Sequence, residues 1–297
     1  MAPPLRELPD ALVLGGGGTL GEAWLRGVLT GAREAGGADM RRCEYFIGTS
    51  AGSIVCAALA AGRAPEAGDR AAREWGEATR DAPERRGIAR TALRAGAVLA
   101  SPLAPLAFAG LEPAGRLARS AALAAAPRPG RTLAGLGRHV DTLHATFDGR
   151  LRIATVDRRS GARVIFGAPG APTATVTDAV LASCAVPWLF APVVIDGCDY
   201  VDGGVWSPVN LDAAPGGRGA RVLCLAPTAG AGPLKAITHT AVGAEQMALR
   251  ARGLRVQVVT PDQASAAAIG PNLMNGGRVE DVLDAAFAQG RRLTAPA

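Results

Sequence analysis

Residues 46–57 read Phe46-Ile47-Gly48-Thr49-Ser50-Ala51-Gly52-Ser53-Ile54-Val55-Cys56-Ala57. The two apolar residues at the start are typical of the end of a buried strand, and the Ala-rich end is typical of a helix. Between them, the G-x-S-x-G spacing indicates a nucleophile elbow, in which glycines at Gly48 and Gly52 relieve crowding while Ser50 is strained and exposed. The helix start also points its amide hydrogens toward negative charge that develops near Ser50. The spacing therefore predicts Ser50 as a nucleophile.

The preceding residues predict a βαβ unit that leads into this elbow. The apolar run at 11–14 is typical of a central parallel strand, a glycine loop follows at 15–21, and residues 22–35 favour a helix. The loop also fits the dinucleotide fingerprint Gly16-x-Gly18-x-x-Gly21. A dinucleotide site would need an acidic residue at the end of the next strand, where the chain has Ser50 instead. A nucleotide-binding Rossmann-like protein is the alternative from another functional class.

The rest of the chain continues to alternate between strand and helix patterns. Predicted strands lie at 151–156, 163–166, 193–196, 199–202, 222–225 and 254–260, and predicted helices at 177–182, 235–252 and 278–291. We predict an α/β fold: a three-layer sandwich whose mainly parallel central sheet has helices on both faces. Residues 1–10 are expected to be an N-terminal extension. One domain is expected over 11–297, with a helical cap segment at about 64–145.

Composition excludes some classes of partner. The net charge of +6 comes from arginines spread along the chain, without a basic block interleaved with aromatic residues, so no nucleic-acid partner is expected. Five cysteines without C-x-x-C spacing and an N-terminus without an apolar signal segment favour a reduced, cytoplasmic protein. His139 and His144 are five residues apart and have no nearby Cys or Glu pattern, so no metal is assigned to them.

One part of the cap is rich in Ala and Leu and basic in character, from residue 87 to 126. It has a single carboxylate, Glu112, and its basic residues are Arg90, Arg94, Arg116 and Arg119. A helix that lies on anionic lipid has this composition, but so does an ordinary packed cap helix. Peripheral contact with an anionic membrane surface is therefore one expectation for this segment.

Taken in order, the motifs make the chain resemble the bacterial patatin-like phospholipases, a family of serine acyl hydrolases. The matching stretches are the glycine loop 15–21, the elbow 48–53, Ala182-Ser183-Cys184-Ala185-Val186-Pro187, Asp202-Gly203-Gly204-Val205 and, as in the tail of some bacterial members, Gly270-Pro271-Asn272-Leu273. The resemblance implies a patatin-like catalytic domain over 11–297.

The resemblance also implies a role for each matching residue. Ser50 corresponds to the nucleophile and Asp202 to its general base, in a dyad without histidine. The backbone amides of Gly16, Gly17 and Gly18 correspond to the oxyanion hole. The other motif glycines are Gly21, Gly48, Gly52, Gly203 and Gly204.

The implied activity is hydrolysis of a lipid ester, of the phospholipase A, lysophospholipase or carboxylesterase type, without a cofactor. Leu20 departs from the family, since many members have Arg or Lys before the last loop glycine. A preference for phospholipid is therefore less supported than ester hydrolysis in general. A Ser-His-Asp esterase is the mechanistic alternative, because the order Ser50, Asp202, His239 is that of α/β-hydrolase triads.

Overall fold

A computed structural model describes residues 5–65, 114–230 and 234–295. Its centre is an eight-stranded sheet. The strands are β1 (Ala11–Leu14), β2 (Tyr45–Thr49), β3 (Leu151–Asp157), β4 (Arg163–Phe166), β5 (Val193–Ile195), β6 (Cys198–Asp202), β7 (Arg221–Leu225) and β8 (Arg255–Val259). The helices are α1 (Gly18–Glu34), α2 (Ala51–Ala60), α3 (Ala114–Ala125), α4 (Ala134–Asp141), α5 (Val176–Cys184), α6 (Lys235–Ala251), α7 (Gln263–Ile269) and α8 (Val279–Arg292).

The strands run in the order β5-β6-β3-β2-β1-β7-β8, and β4 also pairs with β3. The five strands β3-β2-β1-β7-β8 are parallel, whereas β4 and β6 pair with β3 in the antiparallel direction, as does β5 with β6. The predicted α/β fold with a mainly parallel sheet is confirmed. The elbow lies between β2 and α2, near the middle of this sheet.

Side chains of the central strand β1 alternate between the two faces of the sheet. Leu12 and Leu14 belong to a core on one face, which also contains apolar residues of α1, α2, α5 and α8. Ala11 and Val13 belong to a second core on the opposite face, together with residues of α6. Because both faces of a parallel sheet are covered, its strands are apolar throughout. This explains why β1 has no polar residue, and it confirms helices on both faces.

The hairpin β5–β6 sets the position of Asp202. Its turn residues Asp196 and Gly197 both have positive φ, 47° and 72°, as a tight two-residue hairpin turn requires. Strand β6 pairs with β3 in a register that places Asp202 opposite Thr155. The last residue of β6 is therefore brought to the part of the sheet where β2 ends.

The structure describes the predicted N-terminal extension and the predicted cap in part. The expected N-terminal extension packs onto the domain in its described part, since Leu5 is fully buried and the amide of Ala38 donates to its carbonyl (3.0 Å). Much of the predicted cap falls on 66–113, outside the described residues. The five cysteines are free thiols.

The described part of the cap contributes α3 and α4, which pack on the domain. Leu123 of α3 contacts a small core with Val156 and Val201. Arg119 is one of the basic residues of this segment. It is only 4% exposed, and its guanidinium carbon lies 3.9 Å from the centre of the Trp206 ring. The cation–π contact and packing hold this arginine within the protein, as in the alternative of an ordinary packed cap helix.

Two other arginines of this basic segment, Arg90 and Arg94, lie outside the described residues. In the described ranges, no helix combines the length and the apolar character that crossing a bilayer demands.

Candidate active site

Ser50 lies at the apex of a strained turn between β2 and α2. Its φ is 50° and its ψ is −122°, a conformation that residues with a side chain rarely adopt. The flanking glycines cannot be replaced without a clash: a Cβ on Gly52 would lie 2.0 Å from the Leu14 carbonyl oxygen, and one on Gly48 would lie 2.4 Å from Ser53 Cα. The elbow therefore has the predicted shape: the close approach of β1 explains the need for Gly52, and the close approach of the start of α2 explains the need for Gly48.

Hydrogen bonds from distant residues hold this strained turn. The Ser50 amide donates to Ser183 Oγ (2.9 Å), and Ser183 Oγ donates to the Ala154 carbonyl (2.7 Å). Ser53 Oγ donates to the Ser50 carbonyl (2.6 Å). Ser183 is therefore a positioning residue whose role the sequence analysis did not assign, although it lies in a quoted family motif.

Asn210 is a second residue that the sequence analysis missed. Its buried side-chain amide donates to Thr49 Oγ1 (3.1 Å) and to the Gly203 carbonyl (3.2 Å). These two partners are the immediate neighbours of Ser50 and Asp202. Asn210 also has a φ of 51°, a conformation that asparagine tolerates better than most residues. A lone Asn after a proline turn is a weak signal, so only the contacts reveal this link.

Asp202 ends β6 and is 5% exposed. Its amide donates to the Ala185 carbonyl (3.1 Å), and its Oδ1 accepts a hydrogen bond from the Gly204 amide (2.7 Å). Burial raises the pKa of Asp202 to about 6, although the Gly204 amide and the nearby Ser50 hydroxyl oppose that rise. The structure thus brings Ser50 and Asp202 together, with a carboxylate that is more basic than an ordinary aspartate.

The glycines after Asp202 permit this turn. A Cβ on Gly203 would lie 2.3 Å from the Ala154 carbonyl oxygen, so a side chain there would displace the turn from β3. A Cβ on Gly204 would lie 3.0 Å from Asp202 Oδ1, beside the carboxylate. Both motif glycines therefore keep the carboxylate in place.

The glycine loop runs alongside Ser50, but one predicted donor is already engaged. The Gly16 amide donates to the Pro208 carbonyl (2.8 Å), so it is not available to an oxyanion, and this part of the predicted oxyanion hole needs correction. A Cβ on Gly16 would lie 3.3 Å from Ser50 Cβ, so a glycine at this position lets the loop backbone lie close to Ser50. The amides of Gly17 and Gly18 make no hydrogen bond within the described residues and remain the candidate donors.

Two further loop residues explain how helix α1 starts. The Gly21 amide donates to the Gly17 carbonyl (2.8 Å), and a Cβ on Gly17 would lie 2.7 Å from Gly21 Cα. Leu20, which replaces the family's usual cation, is fully buried, and its amide donates to the Leu273 carbonyl (3.0 Å). The position that would carry a charge in many relatives is therefore part of the core here.

A pocket that is open to solvent lies beside the nucleophile. Its lining residues are Gly18, Thr19, Glu22, Ser50, Ala51, Ile54, Cys184, Val186, Phe190 and Met274. Most of this wall is apolar and comes from the glycine loop, the elbow, and the segments after α5 and α7. Such a pocket suits an apolar group held next to a reactive oxygen.

His239 has a different setting. Its Nε2 lies 2.9 Å from the Ala229 carbonyl oxygen, and no hydrogen bond joins it to Ser50 or Asp202 within the described residues. In those same ranges, no three His, Cys, Asp or Glu side chains cluster closely enough to hold a metal ion.

The chain matches the sequence model of one known protein family. The model of the patatin-like phospholipases matches residues 12–215, which is more than half of the 297-residue chain. This region contains the glycine loop, the elbow and the Asp202 turn. No curated protein sequence matches the chain.

Two solved structures are similar to the chain. For VipD from Legionella pneumophila, the identity is 14% and the TM-score 0.46, with 97% of this chain and 67% of that protein covered. For the type III effector protein ExoU, the identity is 16% and the TM-score 0.42, with 97% of this chain and 53% of that protein covered. The chain thus spans about two thirds of the first protein and about half of the second.

Proposed function

The chain belongs to the patatin-like phospholipase family, and on that premise we propose that it hydrolyses a carboxylic ester of a lipid by acyl transfer to Ser50. Family membership implies a lipid acyl hydrolase. The observation that carries the proposal is the arrangement of Ser50 on a strained elbow, with the buried Asp202 carboxylate near its hydroxyl and an apolar pocket beside it.

In the acylation step, Asp202 accepts the proton of the Ser50 hydroxyl while Oγ attacks the ester carbonyl carbon. The carbonyl oxygen becomes an oxyanion, and the amides of Gly17 and Gly18 donate hydrogen bonds to it. Each such donor is worth about 2.7–4 kcal/mol of barrier in a comparable serine hydrolase. Collapse of the intermediate breaks the ester C–O bond, and the departing alcohol takes the proton from Asp202.

In the deacylation step, a water molecule takes the place of the alcohol. Asp202 accepts a proton from this water, whose oxygen attacks the acyl carbon. The bond from the acyl carbon to Ser50 Oγ then breaks, Asp202 returns the proton to Ser50 Oγ, and the fatty acid is released. The raised pKa of about 6 supports both steps. A general base works best when its pKa is near the operating pH, and this carboxylate remains mainly ionised at pH 7.

The apolar wall of the pocket supports an acyl chain as the group bound next to Ser50. Ile54, Val186 and Phe190 form part of this apolar wall, and Met274, which follows α7, contributes a flexible side chain. The buried Leu20 offers no charge to a phosphate. We therefore favour ester hydrolysis in general over strict phospholipid specificity.

The proposal is tested with a fluorophosphonate probe and a panel of p-nitrophenyl esters of increasing chain length. We expect the probe to label the parent protein at Ser50, as mapped by mass spectrometry, and Ser50→Ala to lose both labelling and hydrolysis. Ser120→Ala is the matched control, because this hydroxyl contacts the distant Arg159 carbonyl in α3's interface with the β3–β4 loop. Hydrolysis by Ser50→Ala at the parent rate would refute the proposal.

A further inference from the structure

Thr19 has a buried hydroxyl beside the nucleophile, and this hydroxyl has no partner among the described residues. It is the second residue of α1, lines the same pocket as Ser50, and is 2% exposed. Its Oγ1 makes no hydrogen bond to any described residue. Leaving a buried hydroxyl unpaired is unfavourable, and an unpaired group of this kind in a native structure calls for an explanation. In a substrate pocket, the simplest explanation is a hydrogen bond that forms when substrate binds.

Glu22 presents a second polar group to the same pocket. It lies three residues after Thr19, so the two side chains share one face of α1. Glu22 is 1% exposed, and Arg26 Nε binds its Oε1 at 2.9 Å. An ionised carboxylate has about four acceptor sites on its two oxygens. The contact with Arg26 Nε occupies one site on one oxygen.

We propose that Thr19 and Glu22 bind a free hydroxyl on the alcohol part of the substrate, and so select esters of a partly acylated glycerol. This inference rests on the proposed function. A substrate hydroxyl complements the two residues because it accepts a hydrogen bond from Thr19 and donates one to Glu22. An alkyl group at the same position would leave the Thr19 hydroxyl unpaired and would fill none of the other acceptor sites of Glu22, and a site built for a hydroxyl rejects an analogue that lacks it.

The test compares glyceryl monolaurate with propyl laurate, which have the same acyl chain and differ in the hydroxyls of the alcohol. For the parent protein, we expect kcat/KM to be at least about tenfold higher for the glyceryl ester. Thr19→Val keeps the shape of the side chain but removes the hydroxyl, so it should lower this ratio about tenfold. Thr19→Ser restores the hydroxyl and should keep the ratio near the parent value. Thr240→Val, in the exposed part of α6, is the control for the same chemical change.

Thermal melting separates recognition from folding. Because the Thr19 hydroxyl has no partner among the described residues, its removal should leave the melting temperature equal to that of the parent or higher. Thr19→Ala, which is smaller, repeats the ratio measurement if the valine fits badly.

The inference is overturned if Thr19→Val and Thr19→Ala keep the parent preference, or if the parent hydrolyses both esters equally well. A lower melting temperature in Thr19→Val and Thr19→Ala alike would assign the hydroxyl to the fold and overturn it too. If the parent hydrolyses neither ester and Ser50 is not labelled, the proposed function itself fails.

Discussion

Replacement of Asp202 by asparagine should abolish catalysis and stabilise the protein at the same time. The amide side chain still accepts a hydrogen bond from the Gly204 amide, but it cannot take the proton of Ser50. We therefore expect nearly complete loss of ester hydrolysis and slow labelling of Ser50 by a fluorophosphonate probe. Asp196→Asn, an exposed residue of the same hairpin, is the matched control for both readouts.

The gain in stability follows from the buried charge. Burial raises the pKa of Asp202 from 3.8 to about 6 in the folded protein. This difference corresponds to about 3 kcal/mol, and Asp202 is only 5% exposed, so solvent screening reduces it little. Because the folded pKa of this carboxyl group is raised, its contribution to stability is fully present below pH 3.8 and is lost as the pH rises through about 6. Asparagine carries no charge and avoids the loss.

The assay is thermal and denaturant unfolding of the parent and Asp202→Asn across pH 4 to 8. The two proteins should unfold at similar temperatures near pH 4, and the variant should melt roughly 5 °C higher at pH 8. In the parent, kcat/KM should rise with pH with a midpoint at about 6. Equal melting temperatures at pH 8, or a variant that is less stable there, would refute the argument that burial of this carboxylate destabilises the fold.

Two further predictions concern the role of His239 and membrane binding by the segment from 87 to 126. His239→Ala should keep hydrolysis within a few fold of the parent, because His239 hydrogen-bonds the Ala229 carbonyl. A thousandfold loss of kcat in a variant that still melts cooperatively would instead support the triad. In the described part of the segment from 87 to 126, the Leu117 side chain on α3 is 71% exposed. We expect the protein to sediment with anionic vesicles, and to do so less at high salt because salt screens exposed charges. Leu117→Asp should weaken that binding, whereas Met247→Asp, equally exposed on α6, should not, and equal sedimentation with neutral vesicles would contradict the expectation.

Local pattern was enough to predict the nucleophile elbow, the parallel strands and the strand that ends at Asp202. Each of these is specified by neighbouring residues: glycines two positions from Ser50, an unbroken apolar run in β1, and a turn glycine between β5 and β6. The order of the motifs was also sufficient to indicate the family. Such features depend on conformational preferences over a few residues, and a sequence states these directly.

Other properties of the site depend on contacts between residues far apart in the chain. The Gly16 amide donates a hydrogen bond to the Pro208 carbonyl. The Asn210 side chain donates hydrogen bonds to the neighbours of Ser50 and Asp202. The Arg119 guanidinium packs on the Trp206 ring. The pKa of Asp202 and the unpaired hydroxyl of Thr19 are likewise consequences of burial. Hydrogen bonding and desolvation depend on distance and solvent access, which are set only when the whole sheet and its covering helices assemble.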